Sequence, residues 1–371
     1  MKVLLVTPQM SSGGAETVVY DLASGLARHG HAVAVASSGG RLADELAAKG
    51  VEVYEIPSLA GKRPIQVLRA VPSLARLLRS GRYDVVNAHA YLTALEVWIG
   101  RFLGGSRPPM VFTLHLQESE GLYRVMARTM RATATKVVTV CRSTRERLEA
   151  GGLPPAMSEV IYNGVDVAGF PARTASSPGL GAATLRVGVV ARLVERKGHR
   201  FLLQAMAQLR DDPVCPDFVL DIVGDGPGRE ELERLTAKLG LTTSVRFHGD
   251  TDDVLAVLAK LDVFVLPSTY EAFPVSLLEA MSCGVAILAT GVDGVPELVE
   301  DGVNGVLVRP GRAEALAEAL KGLVMDRDRR ETLALAGAAH VRERFTLEHM
   351  IKGYENLYLS VAGADSSAVQ R

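Results

Sequence analysis

Short apolar runs alternate with amphipathic stretches from the start of the chain. Val3–Val6, Ala32–Ala36, Glu52–Ile56, Val85–Ala88, Val111–Leu114 and Val137–Val140 have the length and side chains of buried strands. Between them, Glu16–Arg28, Leu42–Lys49, Ile65–Arg79, Leu92–Leu103 and Leu122–Ala132 place apolar residues at helical spacing. Apolar strands separated by helices point to parallel βαβ units, buried on both faces. Periodicity lapses over 167–184, a stretch rich in Pro, Gly, Ser and Ala that reads as a linker. The alternation then restarts with strands at Leu185–Val190, Phe218–Val223, Val245–Phe247, Val263–Leu266, Val285–Leu288 and Gly305–Val308. Helices are predicted at 198–209, 228–239, 252–259, 275–282 and 312–325. The expected architecture is α/β: two doubly wound Rossmann-like domains, 1–166 and 185–345, with ligands at the carboxyl ends of the strands in a cleft between them. The last eleven residues, VAGADSSAVQR, read as a frayed tail.

A length of 371 residues suits two domains, and 48% hydrophobic with 22% charged residues gives each a core. MKVLLVTPQM imitates a signal peptide only as far as Val6 before Pro8 interrupts it, so it reads as a first strand. No apolar run reaches 18 residues, so the expected place is the cytoplasm, or the inner face of a membrane without crossing it. Three cysteines without a CxxC argue against a zinc site and a disulfide framework and fit a reducing compartment.

The formal net charge of −1 hides an asymmetry. Residues 1–170 hold 19 Lys and Arg against 14 Asp and Glu, so the acidic excess lies in the remainder. Two stretches, 62–82 with six basic residues and no acid, and 124–147 with seven against Glu146 alone, carry much of the basic excess. In the first, Ile65, Val67, Leu68, Val71, Leu74, Leu77 and Leu78 describe a basic amphipathic helix interrupted by Pro72. Such a helix is ordinarily a solvated surface element and also suits an anionic acceptor, and both stretches, 62–82 and 124–147, suit peripheral contact with an anionic membrane. Nucleic acid is disfavoured as a partner, because aromatics make up only 5% of the chain and its charge is balanced.

Three glycine-rich turns follow predicted strands. Gly13-Gly14 precedes the first helix, where missing Cβ atoms let backbone N–H groups approach a phosphate, and Glu16 follows. Gly224-Asp225-Gly226-Pro227-Gly228 and Gly294-Val295-Pro296-Glu297 are the others. None has the GxGxxG spacing of a dinucleotide fingerprint. The sharpest cluster is Ser268-Thr269-Tyr270-Glu271-Ala272-Phe273-Pro274-Val275-Ser276-Leu277-Leu278-Glu279. Eight helical steps would separate Glu271 and Glu279 by about 12 Å. Carboxylate pairs that hydrolyse glycosides stand roughly 5–9.5 Å apart, so this spacing suits two ends of one long ligand, such as the sugar and the ribose of a sugar nucleotide. Arg192 and Lys197 follow a strand and suit a diphosphate leaving group. His89 and His115 each end a predicted strand, and His89 reads as a lining of an acceptor pocket. Asp250-Thr251-Asp252 imitates a metal-binding DxD, but Asp252 reads as a helix cap and no third ligand is evident, so no metal is expected.

ARLVERKG, IVGDGPG, PSTYEAFPVSLLEAMSCG, GVPELVEDGVNGVLV and the early GGAE occur in one order across nearly the whole chain. Together they resemble the retaining family 4 glycosyltransferases of the GT-B fold. The resemblance implies transfer of a hexosyl unit from a nucleotide-diphosphate sugar, UDP favoured and GDP-mannose next, to a hydroxyl acceptor. It implies no obligatory metal or other cofactor, and a role in polysaccharide, glycolipid or glycoconjugate synthesis. Glu271 corresponds to the residue contacting the transferred sugar, Glu279 to the ribose contact, and Arg192 and Lys197 to the diphosphate pair. His115 resembles the histidine near the reacting sugar. Gly13 and Gly14 resemble the phosphate-side loop, and Gly224, Phe273, Pro274 and Val275 fall in donor-binding motifs. His89 and Glu16 remain acceptor-side candidates. The resemblance also implies that the first domain is the acceptor side, the second the donor side, and that 346–360 crosses back onto the first. This chain departs from the pattern at Gly284-Val285-Ala286, where members often have Gly-x-Pro. It departs again at Asp293, where a second Gly is common, and at Leu116, where Gly or Asp is common.

Other readings have less support. A sugar-nucleotide epimerase of the same fold needs a proton-transfer dyad that is not evident beside the donor motif. An NAD-linked oxidoreductase lacks its fingerprint. A non-catalytic sugar-nucleotide binder would not need Glu271, Arg192 and Lys197 together.

Overall fold

The computed structural model describes residues 1–11, 13–61, 64–115, 120–170, 184–251 and 253–368. Lys62, Arg63, Leu116, Asp252 and residues 171–183 of the expected linker lie outside them. The chain divides into two compact units, Met1–Gly164 with Leu347–Arg371, and Val165–Thr346.

The first unit alternates β1 (Lys2–Val6), α1 (Gly14–Arg28), β2 (Ala32–Ser37), α2 (Arg41–Ala48), β3 (Glu52–Glu55), α3 (Pro64–Gly81), β4 (Val85–Ala88) and α4 (Tyr91–Gly104). It continues with β5 (Met110–Leu114), α5 (Glu120–Thr133), β6 (Lys136–Thr139), α6 (Arg142–Ala150) and β7 (Ser158–Val160). These seven strands form one sheet in the order β3-β2-β1-β4-β5-β6-β7, every pair parallel. Every residue of β4 and β5 is buried, as expected of strands covered on both faces.

The second unit holds β8 (Leu185–Val190), α7 (His199–Arg210), β9 (Phe218–Val223), α8 (Arg229–Lys238), β10 (Val245–Gly249), α9 (Val254–Leu258) and β11 (Val263–Leu266). There follow α10 (Val275–Ser282), β12 (Ala286–Thr290), α11 (Val295–Leu298), β13 (Val306–Val308), α12 (Ala313–Met325) and α13 (Arg327–Arg344). Its six strands run β10-β9-β8-β11-β12-β13, again parallel. In both sheets the strand order reverses beside the first strand, between β1 and β4 and between β8 and β11. Loops leave in opposite directions there and open a crevice at the carboxyl ends, which is where doubly wound sheets hold ligands.

The final helix, α14 (Leu347–Ala368), belongs to the first unit and packs on α1 and β4. At Gly25 of α1 a Cβ would stand 2.0 Å from Ile351 Cδ1, so only glycine admits the helix this closely. Asn87 on β4 donates to the Tyr358 hydroxyl at 2.6 Å and accepts from Thr113 of β5 at 3.1 Å, all of it buried. At the surface, His31 and Glu355 meet at 2.6 Å.

Three expectations are corrected. Pro72 does not interrupt the basic helix: α3 runs from Pro64 to Gly81. The one lost N–H bond is outweighed by packing, because Leu74, Leu77 and Leu78 are buried and α3 lies along α4. There Gly100 and Gly104 let the backbones approach, a Cβ at Gly104 falling 2.6 Å from the Ala75 carbonyl oxygen. The tail is not frayed from residue 361, since α14 is helical through Ala368 and no proline stops it. The helix after Asp250 is shorter than expected and its cap is Asp253, whose carboxylate accepts from Ala256 N–H at 3.0 Å.

Candidate active site

The donor-side candidates gather at the reversal point of the second sheet. After β8 the chain passes through Arg192 and a single 3-10 turn, Glu195–Lys197, then enters α7 at Gly198. Gly198 has φ 69°, and a Cβ there would lie 1.9 Å from the Pro267 carbonyl oxygen. The loop after β8 is therefore pressed against the loop after β11. Thr269 N–H, donating to the Arg196 carbonyl at 2.7 Å, clips the two together.

This contact brings Lys197 to Glu271. The Lys197 ammonium donates to Glu271 Oε1, and Ser268 Oγ donates to the same oxygen at 2.8 Å. Both charged side chains are largely enclosed, 14% and 6% exposed, so their attraction is little screened. The Glu271 N–H donates to Asp293 Oδ2 at 3.2 Å. Asp293 has φ 45°, a left-handed conformation in which Asp is among the few tolerated residues besides Gly. The departure from glycine at this position thus keeps the backbone shape and adds a carboxylate that holds the Glu271 loop. Ser268 and Asp293 carried no role in the sequence reading; their signal is only proximity to the motif.

Arg192, in the loop after β8, is exposed, and no ion pair engages it among the described residues. Glu271 precedes α10 and Glu279 lies within it, so Pro274 marks the helix start, as its fixed φ favours. Val275 and Ser276 N–H groups, in the first turn, have no carbonyl behind them. The Phe273 side chain is buried against Phe345, ring centroids 5.2 Å apart, so it anchors the loop. Gly224 has a geometric reason: a Cβ there would sit 2.3 Å from the Ala191 carbonyl oxygen. Leu193 N–H donates to Asp225 O, and Gly228 N–H to Leu193 O, each at 2.9 Å. The GDGPG turn therefore buttresses the Arg192 loop.

In the first unit, His89 follows β4 and His115 follows β5, and adjacent parallel strands set them side by side. His89 Nδ1 and His115 Nε2 are 3.0 Å apart. Burial pulls the pKa of His115 down to about 4. Burial, and then the facing His115, hold His89 well below the usual histidine range. The pair is thus neutral at pH 7. His89 Nε2 is buried with no hydrogen-bond partner among the described residues. Gly13 and Gly14 are exposed at the start of α1. Glu16 already faces this helix end: it accepts from Gln9 Nε2 at 3.2 Å, and its carboxylate lies 2.6 Å from where a Gly13 Cβ would be.

Among the described residues no group of three or more His, Cys, Asp or Glu is placed to hold a metal ion. Thr251 Oγ1 accepts from Asp253 N–H at 3.2 Å.

Two halves matching two sugar-transfer domains emerge from comparison with known proteins. Residues 179–340 match the model for glycosyl transferases group 1, and residues 12–168 match glycosyltransferase family 4. D-inositol 3-phosphate glycosyltransferase of Salinispora arenicola is 30% identical over 83% of this chain and 75% of its own length. An uncharacterized glycosyltransferase of Methanocaldococcus jannaschii is 28% identical over 96% of this chain and 98% of its own. Among solved structures, HepE of Anabaena in complex with UDP and glucose is 25% identical, with a TM-score of 0.85 over 97% of this chain and all of that one. The fold is GT-B, built of two Rossmann-like sheets. The chain belongs to the group 1, family 4 glycosyltransferases.

Proposed function

We propose that the protein transfers a hexosyl unit from a UDP-sugar to a hydroxyl acceptor with retention of configuration and without a metal. The observation that carries this reading is the Lys197–Glu271–Ser268 cluster at the reversal point of the second sheet, with the exposed Arg192 in the same loop as Lys197. HepE was solved with UDP-glucose as well, that structure covering 99% of this chain, which supports UDP as the carrier.

In this reading Arg192 and Lys197 bind the diphosphate, and the first-turn N–H groups of Val275 and Ser276 add positive potential near it. Glu279 accepts hydrogen bonds from the ribose hydroxyls. Glu271, held by Lys197, Ser268 and the Asp293 contact, orients the hydroxyls of the transferred sugar. The bond from the anomeric carbon to the β-phosphate oxygen breaks, and its electron pair leaves with UDP. The acceptor oxygen bonds to the same carbon from the same face, and its proton passes to the departing phosphate oxygen. No second catalytic carboxylate is required.

His115 serves as a neutral hydrogen-bonding group near the sugar. A buried N–H without a partner is rarer than a buried acceptor without one, so the partnerless His89 Nε2 is assigned as the acceptor. His89 Nδ1–H then donates to His115 Nε2, which leaves His115 Nδ1–H as an outward donor.

The test is thermal denaturation with EDTA present and UDP, GDP, ADP, dTDP or NAD added. A nucleotide at about 100 times its dissociation constant adds about 2.7 kcal/mol. UDP is expected to raise the melting temperature most, and proton NMR of the glycoside formed from the matching UDP-sugar is expected to show the donor's anomeric configuration. Stabilisation by NAD alone, or conversion of the sugar nucleotide without an acceptor, would overturn the assignment.

A further inference from the structure

Helix α4 presents an unusual outer face. Leu92, Leu95, Trp98, Ile99, Phe102 and Leu103 follow steps of three and four and so share one side of it. The other side, including Thr93, Ala94, Val97, Gly100 and Gly104, is buried. Ten large apolar side chains are exposed among the described residues, and five of them are Leu92, Trp98, Phe102, Leu103 and, on the adjoining α5, Val125. Phe102 and Leu103 are 64% and 65% exposed and form the crest, while Leu95 and Ile99 are half-buried, Leu95 packing on the core. Contiguous exposed apolar patches on soluble domains mark a surface built to meet something.

The surroundings indicate what it meets. Helix α4 touches both α3 and α5. On these neighbours Arg69, Arg76 and Arg79 of α3 and Arg124, Arg128 and Arg131 of α5 are exposed. None of the six forms an ion pair among the described residues. Arg107 adds a cation 5.2 Å from the Phe102 ring centroid. An apolar crest bordered by cations matches a bilayer whose headgroups are anionic and whose acyl chains begin just beneath. A second copy of the chain docking by the same face would set arginines against arginines, and an ordinary protein partner would not need so basic a border.

We propose that the α4 ridge docks the protein on an anionic membrane, with Trp98, Phe102 and Leu103 entering the headgroup boundary and the α3 and α5 arginines resting on lipid phosphates. This goes beyond the transferase reading and stands or falls separately from it. It also relocates the membrane contact expected from sequence: the apolar half of the surface lies on a helix with few charges. In the second basic stretch, Arg145 of α6 is turned to Glu149 at 2.6 Å, and Arg147 lies over the Tyr123 ring.

Trp98 is the chain's single tryptophan and reports on the ridge directly. The full chain is titrated with phosphatidylcholine vesicles, with or without phosphatidylglycerol, while Trp98 emission and co-sedimentation are followed. The expected result is a blue shift and sedimentation with anionic vesicles only, both weakened by salt. F102S/L103S is expected to cut binding by about tenfold or more with an unchanged melting temperature, because both side chains are exposed. R124Q/R128Q/R131Q is expected to remove the preference for anionic lipid. An emission unmoved by anionic vesicles overturns the proposal. So does sedimentation that F102S/L103S leaves intact, which would mean charge contact elsewhere. A blue shift that grows with protein concentration without lipid also overturns it, assigning the ridge to self-association.

Discussion

Glu96 is buried on α4 with neither carboxylate oxygen partnered among the described residues, and burial raises its pKa to about 8. Its folded pKa exceeds its unfolded one, so the protonated form holds full stability below about pH 4.5, and stability is lost as pH rises through about 8. The slope in that window is about 1.4 kcal/mol per pH unit. Glu96→Gln, which cannot ionise, is expected to match the wild type near pH 5 and to exceed it by at least about 2 kcal/mol at pH 9, measured by urea denaturation. At the donor cluster the expectation is kinetic. Glu271→Gln leaves the Lys197 ammonium without its counter-charge and, in the proposed reading, replaces the charged acceptor facing the transferred sugar with a neutral amide. Turnover is expected to fall about 10²-fold while UDP affinity, read by calorimetry, changes only a few-fold. Equal losses of turnover and UDP affinity would place Glu271 on the nucleotide instead.

At the scale of the elements, close helix approach depends on particular glycines. Gly25→Val would drive a branched side chain into Ile351 and push α14 off α1. A loss of about 1–3 kcal/mol is expected, measured as a lower denaturant midpoint, whereas Gly50→Ala, where a Cβ meets nothing within 4 Å, costs only the strain of φ 84°. The same scale shows what the sequence made legible. Strand β11, apolar and buried at every residue, announces itself, as does the apolar Val3–Val6 of β1, whereas β7, with the sequence SEV, carries no apolar run and is not legible. Nor is helix α6, because only Thr144 and Leu148 of its nine residues are buried, too few to set a period. Helix α13 packs through Leu333, Ala334, Gly337, Ala338 and Val341, and small residues at an interface leave little hydrophobic contrast. Its start was legible after all in Asp326, whose carboxylate accepts from Arg329 N–H at 2.9 Å. The outward direction of the α4 ridge is not legible in the sequence, because an apolar face reads the same whether it points inward or outward. The Lys197–Glu271 pairing spans 74 residues, a separation that no spacing rule reaches.

Across the whole molecule, burial keeps several histidines neutral. His115 and His199 are both held at about 4, and His89 well below the usual value. Each has a folded pKa beneath its unfolded one, so stability is present above about pH 6.5 and falls as pH drops towards about 4, where the unfolded chain binds protons that the folded chain refuses. The melting temperature is therefore expected to decline steeply between these limits. His89→Asn is expected to flatten the decline, and it keeps an N–H where His89 Nδ1 stood. An unchanged slope would show that the histidine pair is not what resists protonation.

The order of the two units along the chain has a consequence for synthesis. The second unit, 165–346, is one uninterrupted segment, while the first is complete only when α14, residues 347–368, has been made. Tyr354 and Tyr358 are fully buried in the first unit, and Tyr358 is the partner of Asn87 in the middle of its sheet. During translation the earlier-made β4 and β5 therefore wait with an uncovered polar pair, Asn87 and Thr113, while the later-made unit is free to finish. A chain truncated after residue 346 would hold a folded second unit attached to an unfinished first one. Helix α14, made after the second unit, acts as the latch that closes the unit begun before it.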